Sequence, residues 1–228
     1  MAILAQQILD RVREQLIDND VQQRWSDPEL LRFISDGQRT IAAVDPAAAQ
    51  TVTVFKMVEG TRQQLPADGN MLLSVIRNMG LDGLVPNRAV RLVKRDILDN
   101  QDPNWHSATK VTVVYNYIFD PSEQRAFFVY PPSNGLGYIE VNYSFTPAEI
   151  TTAATAISLP DIYLTPLFDY VMYRAHQKDS DWSAGQAVAD AYLKTFTLFV
   201  GTKPQSELQD NPNQQVAGYS PQTRGGAK

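Results

Sequence analysis

Two histidines, three clustered aspartates and a knot of four cations are the residues of this chain best suited by type to do chemistry. His106 follows Asn104-Trp105 in a loop, and His176 stands beside an apolar helical stripe with no carboxylate or histidine four residues away. A catalytic or metal-binding histidine needs a partner that orients it. Neither has an evident one, so we read a loop hydrogen bond for His106 and a packing or interface role for His176. Asp96, Asp99 and Asp102 are close in sequence, but a calcium loop needs alternating oxygen ligands, a glycine turn and a closing glutamate. This run lacks them. Arg88, Arg91, Lys94 and Arg95 form the densest positive stretch. Read as a strand, it turns Arg91, Val93 and Arg95 one way and Leu92 and Lys94 the other. It is either a solvated strand end or, in functional terms, a subunit-interface contact with acidic groups of a partner. The chain holds no Gly-x-x-x-x-Gly-Lys-Ser/Thr phosphate loop and no Gly-x-Ser-x-Gly elbow. Gly135-Leu136-Gly137 is too short for a dinucleotide fingerprint and reads as a turn. No catalytic residue, metal ligand or cofactor site is expected.

Composition narrows the classes further. Cysteine is absent, which excludes disulfides, zinc thiolates and a thiol nucleophile. With 43% hydrophobic and 20% charged residues the chain is an ordinary globular protein, not a disordered one. Its 228 residues suit one domain or two small ones. The net charge of -5 has the wrong sign for gripping nucleic acid, which needs cations to displace counterions. It leaves room for a surface past which DNA slides. Met1 to Asp20 carries Asp10, Arg11, Arg13, Glu14 and Asp18 among its apolar residues, so no signal peptide is expected there. No apolar run approaches the roughly 18 residues that cross a bilayer, so no membrane partner is expected.

These side chains must be positioned by elements whose periodicity changes along the chain. Leu4, Ile8, Val12 and Leu16 predict a helix from about Ala2 to Ile17. Ser26-Asp27-Pro28-Glu29 offers a helix start, and Leu30, Leu31, Ile34, Gln38 and Ile41 continue at helical spacing until Asp45-Pro46. From Thr51 to Leu159 the period approaches two. Strands are expected at Thr51–Phe55, Leu72–Arg77, Ala89–Val93, Val111–Tyr117, Ala126–Tyr130 and Tyr138–Phe145, with Pro131-Pro132 as a boundary. The helical period returns at Leu164–Ala175 and at Ala184–Phe199, with Gly201 as a stop. The short link between them predicts an antiparallel hairpin. After Pro204 the chain is rich in Pro, Gly, Gln, Asn and Ser, too polar to offset its own ordering entropy.

The expected fold class is therefore α+β. Two N-terminal helices (1–50) and a C-terminal helical hairpin (160–203) pack as one four-helix bundle. An antiparallel β subdomain (51–159) is inserted between them, and an extended tail (204–228) follows. Helix pairs of this size owe most of their stability to packing, which favours joining them. Acidic residues outnumber basic ones eight to five up to Asp45, but only ten to nine from Pro46 to Leu159.

Several phrases in this frame resemble the head-to-tail adaptor (connector) proteins of tailed bacteriophages, particularly of short-tailed phages. They are Trp25-Ser26-Asp27-Pro28-Glu29-Leu30-Leu31, Gly60-Thr61-Arg62-Gln63-Gln64-Leu65-Pro66, Pro103-Asn104-Trp105-His106, Phe128-Val129-Tyr130-Pro131-Pro132 and the run Tyr170 to Asp179. The resemblance rests on their order rather than on any one phrase. It implies a structural virion protein, not an enzyme, made in the host cytoplasm and placed in the neck between head and tail. Such proteins form a ring, usually of twelve copies, beneath the portal protein; they present a platform to tail or nozzle proteins and continue the channel for double-stranded DNA. Family members use the C-terminal segment to clasp the portal, which directs attention to Val216, Tyr219, Pro221 and Arg224 in the tail. The ring also gives Arg88, Arg91, Lys94 and Arg95 a role at the subunit interface. A stopper or tail-completion ring and a ligand-binding β module on a helical hairpin are the alternatives. An enzyme such as a cell-wall hydrolase would need two carboxylates in one cleft with one raised pKa.

Overall fold

The computed structural model describes residues 3–18, 24–178 and 183–210. They form an α+β protein with five α-helices and two sheets, divided into two compact units. One unit holds the described residues up to Gly37 and from Ile150 on; the other is Gln38–Glu149. The sequence led to divisions at 50/51 and 159/160. The helix Asp27–Val44 spans the division after Gly37, and the segment after Ile150 bonds to the start of the first helix.

The helical unit begins with α1 (Ala5–Leu16), whose Ile8, Leu9 and Val12 are buried as the four-residue spacing requires. The segment after Ile150 binds its start: the Ala5 and Gln6 amides donate to the carbonyls of Thr155 (3.0 Å) and Ala153 (2.8 Å), and the Ile157 amide to that of Ile3 (2.7 Å). α2 (Asp27–Val44) starts where the proline and acidic first turn direct, with the Ser26 carbonyl accepting from the amides of Glu29 and Leu30. A Cβ on Gly37 would lie 3.0 Å from the Tyr170 ring and 3.1 Å from Leu167, so glycine is what lets α2 approach the later helix this closely. Arg13, only 9% exposed, ties the end of α1 to the start of α2. It donates to the Asp18 carboxylate (3.2 Å), to the Trp25 carbonyl (3.2 Å) and to Asp27, while Asp18 also accepts the Arg24 amide at 2.9 Å.

α4 (Leu164–Lys178) and α5 (Ser183–Asp210) complete this unit. Their ring contacts pair Tyr163 with Phe199, Tyr170 with Phe196, and His176 with Tyr192. Residue numbers rise on one helix as they fall on the other, so the pair runs antiparallel, as expected. The stop expected at Gly201 does not hold: α5 runs through Gly201 and Pro204 to Asp210. The Thr202 hydroxyl donates to the Leu198 carbonyl at 2.7 Å, and Pro204 has no N–H of its own to offer the helix. The tail residues Val216, Tyr219, Pro221 and Arg224 lie outside the described residues.

The β unit contains two sheets. The first has strand order β1 (Gln50–Lys56), β7 (Tyr138–Phe145), β3 (Gly69–Asn78), all antiparallel. The second runs β2 (Glu59–Gln64), β6 (Ala126–Asn134), β5 (Asn116–Phe119), β4 (Arg91–Leu92). Its last pair, β4 with β5, is parallel, so the subdomain is not wholly antiparallel. Period-two alternation sends Tyr117, Phe127 and Val129 into a core shared with Leu72, Val75, Ile139 and Val141 of the first sheet. The alternate residues Ile118, Phe128 and Tyr130 form a second cluster with Leu98 and Trp105. Two further expectations are corrected. Lys94 is the N-cap of a short helix, α3 (Arg95–Gln101), so the strand reading of the cationic run fails beyond Leu92. The segment 111–115 is not a continuous strand; β5 begins only at Asn116. β6 in turn passes through Pro131 and Pro132, because its pairing with β2 shifts register between Gly60 and Arg62 and leaves that stretch out of the ladder.

Candidate interaction surface

Several of the residues singled out for chemistry are engaged in holding the fold. The Trp105 indole donates to Asp99 at 2.7 Å, and Asp99 also pairs with Arg95 at 3.3 Å. Asp102 accepts the Asn104 amide at 3.2 Å and faces the Tyr130 hydroxyl at 3.5 Å. Asp99 and Asp102 therefore look to different partners, and no group of three or more metal-type ligands occurs among the described residues. His106 stacks on Trp105, with centroids 3.6 Å apart, and bonds the Thr61 hydroxyl through Nδ1 at 2.9 Å. Phe128 meets both rings edge-on. Thus phrases from residues 60–66, 103–106 and 128–132 converge on one aromatic cluster over the outer face of the second sheet. Gln63, 1% exposed, closes the β1–β2 turn by donating to the Val58 carbonyl (2.9 Å) and accepting its amide (2.8 Å).

His176 stacks flat on Tyr192 at 5.9 Å, and burial lowers its pKa below the ordinary 6.5. Asp169 on α4 is 7% exposed, and burial raises its carboxyl pKa.

The cations lie differently. Arg88, Arg91, Lys94 and Arg95 are all exposed. Arg88 covers the Tyr115 ring at 4.3 Å, and Arg95 pairs with Asp99. Just upstream, the loop from Met79 to Asn87 presents Leu81 (67% exposed), Leu84 (78%) and Val85 (59%) to solvent, and Leu92 is 62% exposed. Its base is held by a residue the sequence reading missed. The buried Asn78 amide donates to the carbonyls of Arg88 and Val114, each at 2.8 Å, and accepts the Val114 amide at 2.9 Å. The backbone amides of Met79 and Tyr138 then bond the carbonyls of Tyr138 (2.7 Å) and Gly80 (3.0 Å). An anchored loop with an apolar tip and cations on its return strand has the composition of a protein-binding surface. A lone Asn before a loop gives no signal of this in sequence; the run of Leu and Val among Gly, Asp and Pro at 80–86 could have.

An α+β chain whose distinctive residues brace sheets and loops, and whose exposed features suit macromolecular contact, belongs with structural and assembly proteins. The comparison with protein families makes this specific. The chain matches the SU10 adaptor protein family over residues 4–221, nearly its whole length, and belongs to that family. The resemblance to phage head-to-tail adaptors thus holds, and the family is one of structural phage adaptors rather than of enzymes. A comparison with curated proteins gave no match.

Proposed function

We propose that this protein is a structural component of the virion neck. It forms a ring beneath the portal, links head to tail and continues the DNA channel. The observation that carries this reading is the family match across residues 4–221. In this reading the two N-terminal and two C-terminal helices act as one four-helix bundle. A ring repeats one heterologous contact until it closes, so each subunit needs two different complementary faces. The cationic run Arg88, Arg91, Lys94 and Arg95 supplies one of them. The polar tail, through Val216, Tyr219, Pro221 and Arg224, reaches the portal, and twelve tethered arms add avidity even where each binds weakly. The acidic surplus up to Asp45 suits a lumen that lets DNA pass without holding it. No helix among the described residues is long and apolar enough to cross a membrane. Mass photometry of the protein mixed with its cognate portal tests the reading. Particles heavier than the portal by a fixed multiple of 25.5 kDa are expected; an unchanged portal mass overturns it.

A further inference from the structure

Among the described residues the two sheets end in four edges, and three of these are blunted. β3 changes register against β7 at three places, and near its end the Val90 amide donates to the Ile76 carbonyl at 3.1 Å. β2 shifts register between Gly60 and Arg62 and exposes Glu59 and Arg62. β4 is two residues long. Bulges, charges and shortness are how proteins keep a sheet edge from pairing with a foreign strand.

The fourth edge, β1, has none of these devices. It pairs with β7 without a shift from Gln50 opposite Ser144 to Lys56 opposite Tyr138, and its other side lies at the margin of the sheet. Between Gln50 and Lys56 it reads Thr-Val-Thr-Val-Phe, all strand formers, with no charge, proline or glycine. No strand or bridge among the described residues pairs with that side. Val52 is 51% exposed. The 79–87 loop comes down close by, since a Cβ on Gly83 would lie 3.4 Å from Val54 and 3.1 Å from the Tyr138 ring. The loop that carries Leu81 and Leu84 thus reaches the sheet face that Val52 and Val54 share.

An added strand takes main-chain hydrogen bonds from such an edge and specificity from the side chains beside it. Apolar residues at alternate positions suit Val52, Val54 and the loop; a carboxylate suits Lys56, exposed at the end of β1. This chain is a poor donor. A second copy offers blunted edges or its own β1, and β1 against β1 is a two-fold contact that makes a pair, not a ring. In residues 211–228 prolines and glycines recur so often that the longest run without one is Asn213–Ala217, shorter than β1. In the proposed neck the C-terminal segment reaches the portal, which leaves the contact with the phage tail to be made elsewhere.

We infer that β1 is an open edge on which a tail protein adds an extended strand, with apolar residues at alternate positions and a carboxylate across from Lys56. This rests on the neck reading above and names its tail-side contact.

Hydrogen exchange over residues 50–56, followed by mass spectrometry on the full chain, tests it. The states compared are the chain alone at two concentrations, the chain truncated after Asp210, the chain on cognate portals, and the chain on portals that also carry the cognate tail protein. Micrographs identify each particle. The outward amides of β1 are expected to slow about tenfold or more only when the tail protein is present. Unchanged exchange in complete necks overturns the inference and leaves the adaptor reading standing. Slow exchange in the chain alone also overturns it: loss on dilution makes a second copy the occupant, and loss on truncation makes it the chain's own C-terminal segment. Protection by the portal alone overturns the assignment to the tail protein. If the chain docks on no portal, both readings fall. As a second arm, Val52→Lys puts a charge on the edge. It is expected to lower capture of the tail protein by portal-bound adaptor about tenfold or more, with thermal unfolding unchanged. Unaltered capture overturns the inference as well.

Discussion

Asn78 shows how one side chain can replace a stretch of β ladder. Its amide takes both the N–H and the C=O of Val114, the groups a continuous strand over 111–117 would have paired. That is why the β-branched run Val111 to Tyr117 reads as a strand and yet forms one only from Asn116. Asn78→Ala leaves these groups and the Arg88 carbonyl without their partner. It should cost about 2–3 kcal/mol, checked by urea unfolding. Asp169 acts in the opposite direction. Burial raises its pKa, so the folded state binds the proton more tightly than the unfolded chain, and the ionised group opposes folding at neutral pH. Asp169→Asn should therefore raise the melting temperature at pH 7. The gain should fade as pH falls through the raised pKa and be gone below the ordinary carboxyl value of 3.8, where both states are protonated. A melting series from pH 7 to pH 3 reads both limits.

Among the elements, those with a strong period were legible and those built by tertiary contacts were not. α1, α2, α4, β3 and β7 follow from spacing, because one face of each is buried and the residue types alternate accordingly, while β1 follows from its β-branched run Thr51 to Val54. β2 was missed because Glu-Gly-Thr-Arg-Gln-Gln has almost no apolar alternation; a buried Gln63 and pairing to β6 hold it there. α3 was missed because it is short and opens with Arg95-Asp96, which periodicity reads as charged surface. The aromatic cluster was half legible: its phrases were noticed, but their meeting in space was not. Trp105 is its keystone, 1% exposed and bonded to Asp99. Trp105→Ala should destabilise the β unit by about 3–5 kcal/mol, read as loss of a cooperative transition at lower denaturant. In the same variant the near-ultraviolet signal of the helical unit, which keeps Trp25, should persist to higher denaturant.

For the whole molecule, the family match places the chain among phage adaptors. The helical pairs and the β insertion were foreseeable because the period changes twice along the chain. The exposed loop tip was not, since its meaning depends on which apolar residues stay uncovered after folding. Truncation after Asp210 should leave thermal unfolding unchanged and weaken portal binding at least tenfold, as measured by surface-immobilised portal; unaltered binding removes the tail from the proposal. The most direct measurement is a reconstruction, without imposed symmetry, of cognate portals saturated with this protein. The account predicts a closed ring in which every copy touches its two neighbours through different faces. Portals left bare, or carrying scattered copies with no contact between them, would contradict it.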